Sequence, residues 1–266
     1  MITFNISTAN RKFIQTSDEP YQILPSRTTR ITQKVINSYL EPTNDKNNIL
    51  IHTSYITRIW KPDFLLPSSK EEEIVNDFIN LAQRIKTKYI LIHGPGNVQE
   101  LNNFCHQISK LKQMFVDTKL TCCIEMPAFA KEVFTTYEVN YKFIQKYFAY
   151  FANNGFEIVI DTAHLYANGL DSDDIIKLLD YFKNAYHWIH LNGNCREKYT
   201  SDKHVIITSK DNKMTNVDKL LDFIGQNCSD KYCICEIVFN NYNYWSKLVS
   251  SHKGLTLCSK SLFLNL

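Results

Sequence analysis

Six apolar segments of this chain end at a histidine or a carboxylate, and this repeated ending constrains the fold more than any other feature of the sequence. The segments are NILIHT, YILIHG, LTCCIEM, EIVID, YHWIHLN and YCICEIV, and their β-branched residues are typical of buried strands. Their ligand-type endings are, in chain order, His52, His93, Glu125, Asp161, His190 and Glu236. Amphipathic segments separate the strands, the clearest of them from Glu71 to Lys88. The pattern predicts strands that alternate with helices and present similar chemistry at one end.

Two earlier segments, 2–7 and 21–25, complete a set of eight predicted strands. Further helices are predicted over 27–40, 101–115, 139–153, 173–184, 216–226 and 242–252, with a polar loop over 193–204. Eight strands with about seven helices are typical of a TIM (β/α)₈ barrel, whose active sites lie at the C-terminal ends of the strands. We therefore expect a single barrel domain over residues 1–266. A doubly wound sheet is the alternative, but the sequence lacks a Gly-rich nucleotide fingerprint.

Composition narrows the class of protein further. No apolar run reaches transmembrane length and the N-terminal segment lacks a signal-peptide core, so we expect an intracellular protein without a membrane partner. The expected location is the cytoplasm or nucleus, or a virion if the source is a virus. The eight cysteines show no CxxC spacing, which favours buried thiols over a thiolate metal site. A formal net charge of +3 is too small to indicate a nucleic-acid partner by itself.

Metal-binding side chains are concentrated at the predicted strand ends and in the loops that follow. The candidate ligands are His52, His93, Glu125, Asp161, His164, His190, Asp202, His204 and Glu236. Nitrogen and carboxylate ligands without thiolate suit Zn²⁺, with Mn²⁺ or Fe²⁺ as alternatives. These ligands exceed the three or four that one catalytic zinc needs, so we expect two or three ions. Three divalent ions would outweigh the four carboxylates and suit an anionic phosphodiester.

The segments IHTSY, IHGPG, CIEMP, IDTAHLYANG, IHLNGN, SDKH and CEI occur in the order typical of one known family. The chain resembles the endonuclease IV family of apurinic/apyrimidinic (AP) endonucleases, in a compact form similar to those of large DNA viruses. The resemblance implies a TIM barrel with three zinc ions that hydrolyses the phosphodiester 5′ to an abasic site in duplex DNA. The products would be a 3′-hydroxyl and a 5′-deoxyribose phosphate, as in base excision repair. We expect a monomer, with Mn²⁺ as a substitute metal.

The resemblance also implies roles for individual residues. His52 and His93 would bind the first ion, Glu125 the first and second, Asp161, His190 and Glu236 the second, and His164, Asp202 and His204 the third. Glu125 and Glu236 are the expected catalytic residues. Tyr55 and Ile56 lie where the family inserts side chains into DNA, and an aromatic–apolar pair suits a vacated base position. Expected phosphate contacts are Arg30, Arg58 and Lys203, with Arg27, Lys61, Arg196 and Lys198 on the same loops.

The chain departs from the family pattern in two regions. The first strand carries Asn5, Ile6 and Ser7 where the family usually has a histidine, and the helix after it is truncated. Lys203 replaces the usual arginine between Asp202 and His204, and residues 205–212 replace a Gly-containing segment. All expected ligand types are nevertheless present.

Two other functions fit parts of the pattern. A xylose-isomerase-like sugar isomerase or epimerase would share the barrel and several ligands, but it would need about four ligands and one or two ions. Such an enzyme has no evident use for His164, Asp202 and His204, or for Tyr55 and Ile56. A non-catalytic DNA-damage binder with structural zinc would be expected to use thiolates, which this ligand set lacks.

Overall fold

The computed structural model describes residues 1–6, 19–26, 30–39, 41–46, 48–128, 137–237 and 241–258. In this part of the chain eight parallel strands form a barrel with helices between them, which confirms the predicted TIM-barrel fold. The barrel strands are β1 (Ile2–Ile6), β2 (Tyr21–Ile23), β3 (Ile49–His52), β4 (Tyr89–His93), β5 (Thr121–Glu125), β6 (Glu157–Asp161), β7 (Trp188–His190) and β10 (Tyr232–Cys235). Two further strands, β8 (Gly193–Asn194) and β9 (His204–Val205), pair antiparallel with each other.

Helices follow most of the strands. They are α1 (Gln33–Asn37), α2 (Lys70–Arg84), α3 (Val98–Cys105), α4 (Ile108–Thr118), α5 (Tyr137–Asn153), α6 (Thr162–Ala167), α7 (Ser172–Tyr181), α8 (Val217–Asn227) and α9 (Tyr242–Ser251). A short 3₁₀ helix covers Pro62–Leu65. No helix of the described residues is both long and apolar enough to cross a membrane.

The chain divides into two compact units. The N-terminal unit is Ile6–Glu125 and contains β2 to β5. The C-terminal unit contains Met1–Asn5 and the described residues from Met126 onward, with β6, β7 and β10. The expectation of one domain over residues 1–266 stays a prediction.

In the N-terminal unit, the apolar residues that recur along helix α2 form its buried face. Its apolar face, with Ile74, Phe78 and Leu81, is buried, as the spacing predicts. The Ser69 hydroxyl accepts a hydrogen bond from the Glu72 amide and caps the first turn. The helix ends at Arg84, earlier than predicted, because Lys86 turns into the left-handed region with a φ of 54°.

Four predicted elements of the chain differ in their bounds or end outside the described residues. The helix expected over 101–115 is two helices, α3 and α4, separated by a turn at His106 and Gln107. The helix expected over 27–40 is observed only as α1, and residues 27–29 and 40 lie outside the described residues. The predicted ends of the first and eighth strands, Ser7 and Val238, also lie outside them.

In the C-terminal unit, three short elements were not predicted, namely α6, β8 and β9. Asp161 ends β6 and caps α6 through its side chain, so the strand passes directly into a helix. The loop expected over 193–204 contains strand β8 and the beginning of β9, with Asn194 opposite His204. All three are too short to show a sequence periodicity, and two of them carry candidate ligands, His164 in α6 and His204 in β9.

The cysteines behave as small apolar residues. All eight are free, and six of them are buried: Cys122, Cys123, Cys228, Cys233, Cys235 and Cys258. Burial raises the pKa of the Cys122 thiol well above its ordinary value, which keeps the thiol protonated. The prediction of buried thiols is confirmed for these six.

Leu81 and Leu66 give a matched test of the packing of the N-terminal unit. Leu81 is 0% exposed on α2, whereas Leu66 is 58% exposed. We expect Leu81→Ala to lower the free energy of unfolding by about 2–5 kcal/mol, because it removes buried methyl groups and leaves a cavity. Leu66→Ala should change it by less than about 0.5 kcal/mol. Urea unfolding of both variants measures this, and equal losses would contradict the packing described for α2.

Candidate metal centre

The N-terminal cluster consists of His52, His93 and Glu125, at the ends of β3, β4 and β5. The register pairs His93 with Glu125 on neighbouring strands, and pairs His52 with Leu91, two residues before His93. The three strands therefore deliver all three side chains to the same end of this unit. His52 and Glu125 are buried, and His93 is half-buried.

The distances within the N-terminal cluster fit ligands arranged around a cation. The Nε2 atoms of His93 and His52 lie 3.3 Å and 3.6 Å from the same oxygen, Oε2 of Glu125. Two atoms that each lie about 2.0–2.1 Å from a zinc ion at a tetrahedral angle are about 3.4 Å apart. The His52 Nδ1 atom lies 2.7 Å from the Thr53 carbonyl oxygen and donates to it in the tautomer that leaves Nε2 free to ligate.

Tyr55 packs directly beside this cluster. Its ring centroid lies 4.8 Å from that of His93 and 5.9 Å from that of His52, while 51% of the residue is exposed. Ile56 beside it is half-buried. The tyrosine therefore has one face on the histidines and a large part of its surface in solvent, which allows both a supporting role and a stacking role.

The C-terminal cluster is larger and draws on both strands and loops. Its members are Asp161, His164, His190, Asp202, His204 and Glu236. Asp161 and His190 are opposite each other at the ends of β6 and β7, and Glu236 directly follows β10. His164 lies in the first turn of α6, His204 begins β9, and Asp202 lies two residues before it.

The Asp161 carboxylate contacts several other residues of this cluster. Its Oδ1 accepts a hydrogen bond from the His164 amide at 2.9 Å, and its Oδ2 accepts one from Asn192 Nδ2 at 2.8 Å. The same Oδ2 lies 3.6 Å from His190 Nδ1 and 3.8 Å from His204 Nε2. These last two distances exceed those of hydrogen bonds and suit ligand atoms that share a cation.

Asp202 and His204 bring a second carboxylate and a further imidazole to the cluster. Asp202 Oδ2 lies 2.9 Å from His204 Nε2 and 3.5 Å from His164 Nε2. Burial opposes the charge of Asp202, but interactions with His164 and His204 outweigh it and hold the pKa of this carboxyl well below its usual range. Burial likewise opposes the charge of His204, yet Asp161, Asp202 and Glu236 raise its pKa to about 12. The carboxylates thus create a strongly negative potential that favours a cation.

His164 has the hydrogen bond typical of a metal-binding imidazole. Its Nδ1 lies 3.0 Å from the Met126 carbonyl oxygen, the natural partner for an Nδ1–H donor. In that tautomer Nε2 carries the lone pair and faces Asp202. The ring is buried and lies 5.3 Å from the ring of His204.

Two asparagines that sequence reasoning did not single out hold the carboxylates in place. Asn192 donates to Asp161 Oδ2 at 2.8 Å and to Glu236 Oε2 at 3.2 Å, and its own oxygen accepts from the Glu236 amide at 3.1 Å. Asn194 donates to Asp202 Oδ1 at 3.2 Å. Both side chains are almost fully buried. Both asparagines lie in the segment IHLNGN, which contributes to the family resemblance but does not by itself indicate these hydrogen bonds.

The basic residues expected to contact phosphate differ in their surroundings. Arg30 is held by Glu73 and Asp77 of α2, and hydrogen bonds to these carboxylates raise the pKa of its guanidinium further. Lys61 pairs with Glu71 at 2.7 Å, and Lys198 with Asp171 at 2.6 Å. Arg58, Arg196 and Lys203 are exposed, and no salt bridge to them is observed within the described residues. Arg27 lies outside the described residues. Phosphate contact remains a prediction for all of these residues.

The remaining histidines lie outside both clusters. His106 is exposed at the end of α3, His187 bonds Glu157 at 2.9 Å, and His252 bonds Asp222 at 2.9 Å. Within the described residues, the groups of side chains that could hold a metal ion all belong to these two clusters. Their nitrogen and carboxylate donors fit Zn²⁺ or Mn²⁺. Such ions polarise carbonyl or phosphoryl oxygens and lower the pKa of water.

Comparison with known proteins supports the fold over nearly its full length. No family model matches the chain, and no curated protein matches it. Endonuclease IV from Thermus thermophilus is a similar solved structure, with 15% identity, a TM-score of 0.60, and coverage of 93% of this chain and 96% of that one. The African swine fever virus AP endonuclease has 14% identity, a TM-score of 0.56, and coverage of 95% and 96%. A xylose isomerase domain protein from Planctomyces limnophilus has 11% identity, a TM-score of 0.59, and coverage of 94% and 95%. At these identities the likeness shows the barrel fold, which nucleases and isomerases share.

His93 and His106 give a matched test of the N-terminal cluster. We expect His93→Ala to retain about one metal ion fewer per chain than the wild type, because the cluster keeps only two ligands. His106→Ala should bind as many ions as the wild type, since that ring lies outside the cluster. Elemental analysis of both variants after identical dialysis measures the difference. Equal metal content in the two variants would show that His93 is not a ligand.

Proposed function

We propose that this chain is a zinc-dependent AP endonuclease of the endonuclease IV type, acting on abasic sites in double-stranded DNA. It would hydrolyse the phosphodiester 5′ to the lesion and leave a 3′-hydroxyl and a 5′-deoxyribose phosphate. The observation that carries the proposal is the placement of Asp202 and His204 beside His164 and Asp161. A barrel that uses only ligands from its strand ends has no need of this addition.

The charge of the C-terminal cluster supports a phosphodiester substrate. Asp161, Asp202 and Glu236 bring three carboxylates within reach of His204, and a phosphate would be repelled unless cations outweighed them. Hydrolysis of a phosphodiester builds negative charge on the phosphoryl and leaving oxygens, so a site rich in divalent cations favours that reaction. A neutral sugar creates no comparable demand.

The proposed ligand assignment follows the family resemblance. The first ion would be held by His52, His93 and Glu125 of the N-terminal cluster. Of the C-terminal cluster, Asp161, His190 and Glu236 would hold the second ion, and His164, Asp202 and His204 the third. Zinc is the proposed metal, and Mn²⁺ is the proposed substitute. The ions would supply Lewis-acid stabilisation of phosphoryl oxygens and a lowered pKa of the attacking water.

The protein's own groups orient the reacting atoms. Glu236 Oε2 accepts from Asn192 at 3.2 Å and lies 3.1 Å from His204 Nδ1, which fixes the plane of the carboxylate. Its other oxygen, Oε1, lies 3.8 Å from His190 and is the atom we assign to orient the attacking water. We assign the same task to Glu125 in the N-terminal cluster. These two carboxylates are the proposed catalytic residues.

DNA recognition would depend on the loop after β3. Tyr55 is half exposed and packs against His93, so its ring can stack in a vacated base position, with Ile56 as an apolar wedge. Arg58 and Lys203 are exposed and are the proposed phosphate contacts with the fewest competing carboxylates. Arg30 would first have to leave Glu73 and Asp77.

The xylose-isomerase-like alternative is not favoured. Such an enzyme shares the barrel, as the Planctomyces structure shows, but one or two ions held by about four ligands suffice to move a proton or hydride. It leaves no role for Asp202 and His204, which are nevertheless held in place by Asn194 and Glu236. The proposed enzyme acts as a monomer inside the cell.

His204→Ala tests the proposal most directly, with His187→Ala as its control. We expect His204→Ala to lose one zinc of the proposed three and to reduce incision of an abasic duplex by several orders of magnitude, because the third ion loses a ligand. His187→Ala should keep full metal content and activity, since that exposed ring lies outside both clusters and bonds Glu157 in the same unit. Elemental analysis and gel-resolved incision are measured on the same samples.

Two results of this experiment would contradict the proposal. One is a His204→Ala protein that has lost an ion and still incises abasic DNA at the wild-type rate. The other is a wild-type protein with full metal content that leaves abasic DNA intact and interconverts sugars. An undamaged duplex of the same sequence serves as the substrate control.

Tyr55→Ala should act on DNA binding and not on the metals. Loss of the stacking ring should weaken binding of an abasic duplex by about 1–3 kcal/mol, the usual value of a base–aromatic contact. Tyr55→Phe keeps the ring and should bind like the wild type. Fluorescence anisotropy and elemental analysis distinguish the two roles. Unchanged DNA binding with reduced zinc would show that Tyr55 only supports His93.

A further inference from the structure

A basic cavity lies at the opposite end of the N-terminal unit from its metal-ligand cluster. It has a volume of about 280 Å³ and is lined by Asp45, Lys86, Thr87, Lys88, Lys119 and Leu120. These residues precede β4 and β5, whereas His93 and Glu125 end them. Along β4 the two ends are about 13 Å apart, from four steps of about 3.3 Å. The cavity is therefore separate from the N-terminal cluster.

The lining of the cavity has an excess of positive charge. Lys86, Lys88 and Lys119 contribute three ammonium groups, against the single carboxylate of Asp45. Lys86 pairs with Glu41 at 3.2 Å, and Lys88 lies 5.1 Å over the ring of Tyr89. Within the described residues no salt bridge to Lys88 or Lys119 is observed. An anion in the cavity would supply the missing counter-charge.

Two of these lysines are in an unfavourable backbone conformation. Lys86 and Lys119 have φ values of 54° and 57°, in the left-handed region where helices usually end with glycine. Each follows a helix, and the next amide of each turn bonds back into that helix, from Thr87 to Ala82 and from Leu120 to Phe115. Glycine would fit these turns with less strain, so the turns themselves do not explain the lysines. Lys86 and Lys119 both line this cavity.

We propose that this cavity binds the phosphate group of a small phosphorylated molecule. Ammonium groups are common phosphate ligands, and three lysines line a space slightly smaller than the roughly 300–1,000 Å³ of typical small-molecule sites. A compact ligand is favoured over a nucleic-acid strand, because Asp45 and Glu41 adjoin the lysines and would repel a polyanion that extends past them.

The test follows the backbone amide signals of Thr87 and Leu120 by NMR in the full chain, with inorganic phosphate as the probe. We expect saturable shifts of both signals in the wild type. The double variant Lys86→Gln/Lys119→Gln should bind at least about tenfold more weakly, because two of the three ammonium groups are gone. Lys112→Gln removes an exposed charge from the same helix α4 and should bind like the wild type. Phosphate held at the metal clusters would shift signals near His93, not these two.

Glycine variants separate ligand binding from helix capping. Lys86→Gly and Lys119→Gly should each raise the melting temperature in phosphate-free buffer, because they relieve the left-handed strain. Each should also weaken phosphate binding at Thr87 and Leu120. Wild-type phosphate binding in the glycine variants, or the absence of shifts in the wild type, would overturn the proposal.

Parallel titrations identify the source of the phosphate. A nucleoside 5′-monophosphate should shift the same two signals as inorganic phosphate, whereas a single-stranded 12-mer should leave them in place. Shifts produced by the 12-mer alone would overturn the assignment to a small molecule. None of these measurements depends on the incision activity of the protein.

Discussion

The buried carboxylate of Asp161 is the constraint on which the C-terminal unit depends. One of its oxygens caps α6 and thereby fixes the position of His164, and the other accepts from Asn192. That second oxygen also faces His190 and His204. A strand end, a helix start and two loops therefore converge on one residue. Replacing this aspartate would alter the local fold and the candidate metal site together.

Such an arrangement carries a large electrostatic cost. Buried carboxylates are unfavourable unless they are hydrogen-bonded or paired with positive charge. Hydrogen bonds from Asn192 and Asn194 to the carboxylates offset part of this cost. The raised pKa of His204 shows that the surrounding charge still favours a cation. A proton on His204 and a metal ion would both satisfy that potential. The residues that make the cluster costly for folding are the same ones that would bind a metal.

Sequence patterns predicted the barrel and the strand-end residues, because both depend on local periodicity. Long amphipathic segments such as α2 and apolar runs such as β4 can be recognised in a single sequence. The helix α6 and strands β8 and β9 were missed, since each is too short to show a periodicity. The ion pairs of Arg30 could not be predicted from the sequence, because Glu73 and Asp77 are distant from Arg30 along the chain. Residue types could be predicted, but their partners could not.

The short sheet of β8 and β9 brings additional ligand-type side chains to the C-terminal cluster. Its register places Asn194 opposite His204, and the same asparagine holds Asp202 through its side chain. Asn194 also accepts from the amides of Arg196 and Lys203, so this buried side chain organises the whole loop. Strand ends alone would give the C-terminal unit Asp161, His190 and Glu236. The loop over residues 193–205, outside the barrel itself, adds an acid and an imidazole to these, because Asp202 and His204 lie beside Asp161 and His164.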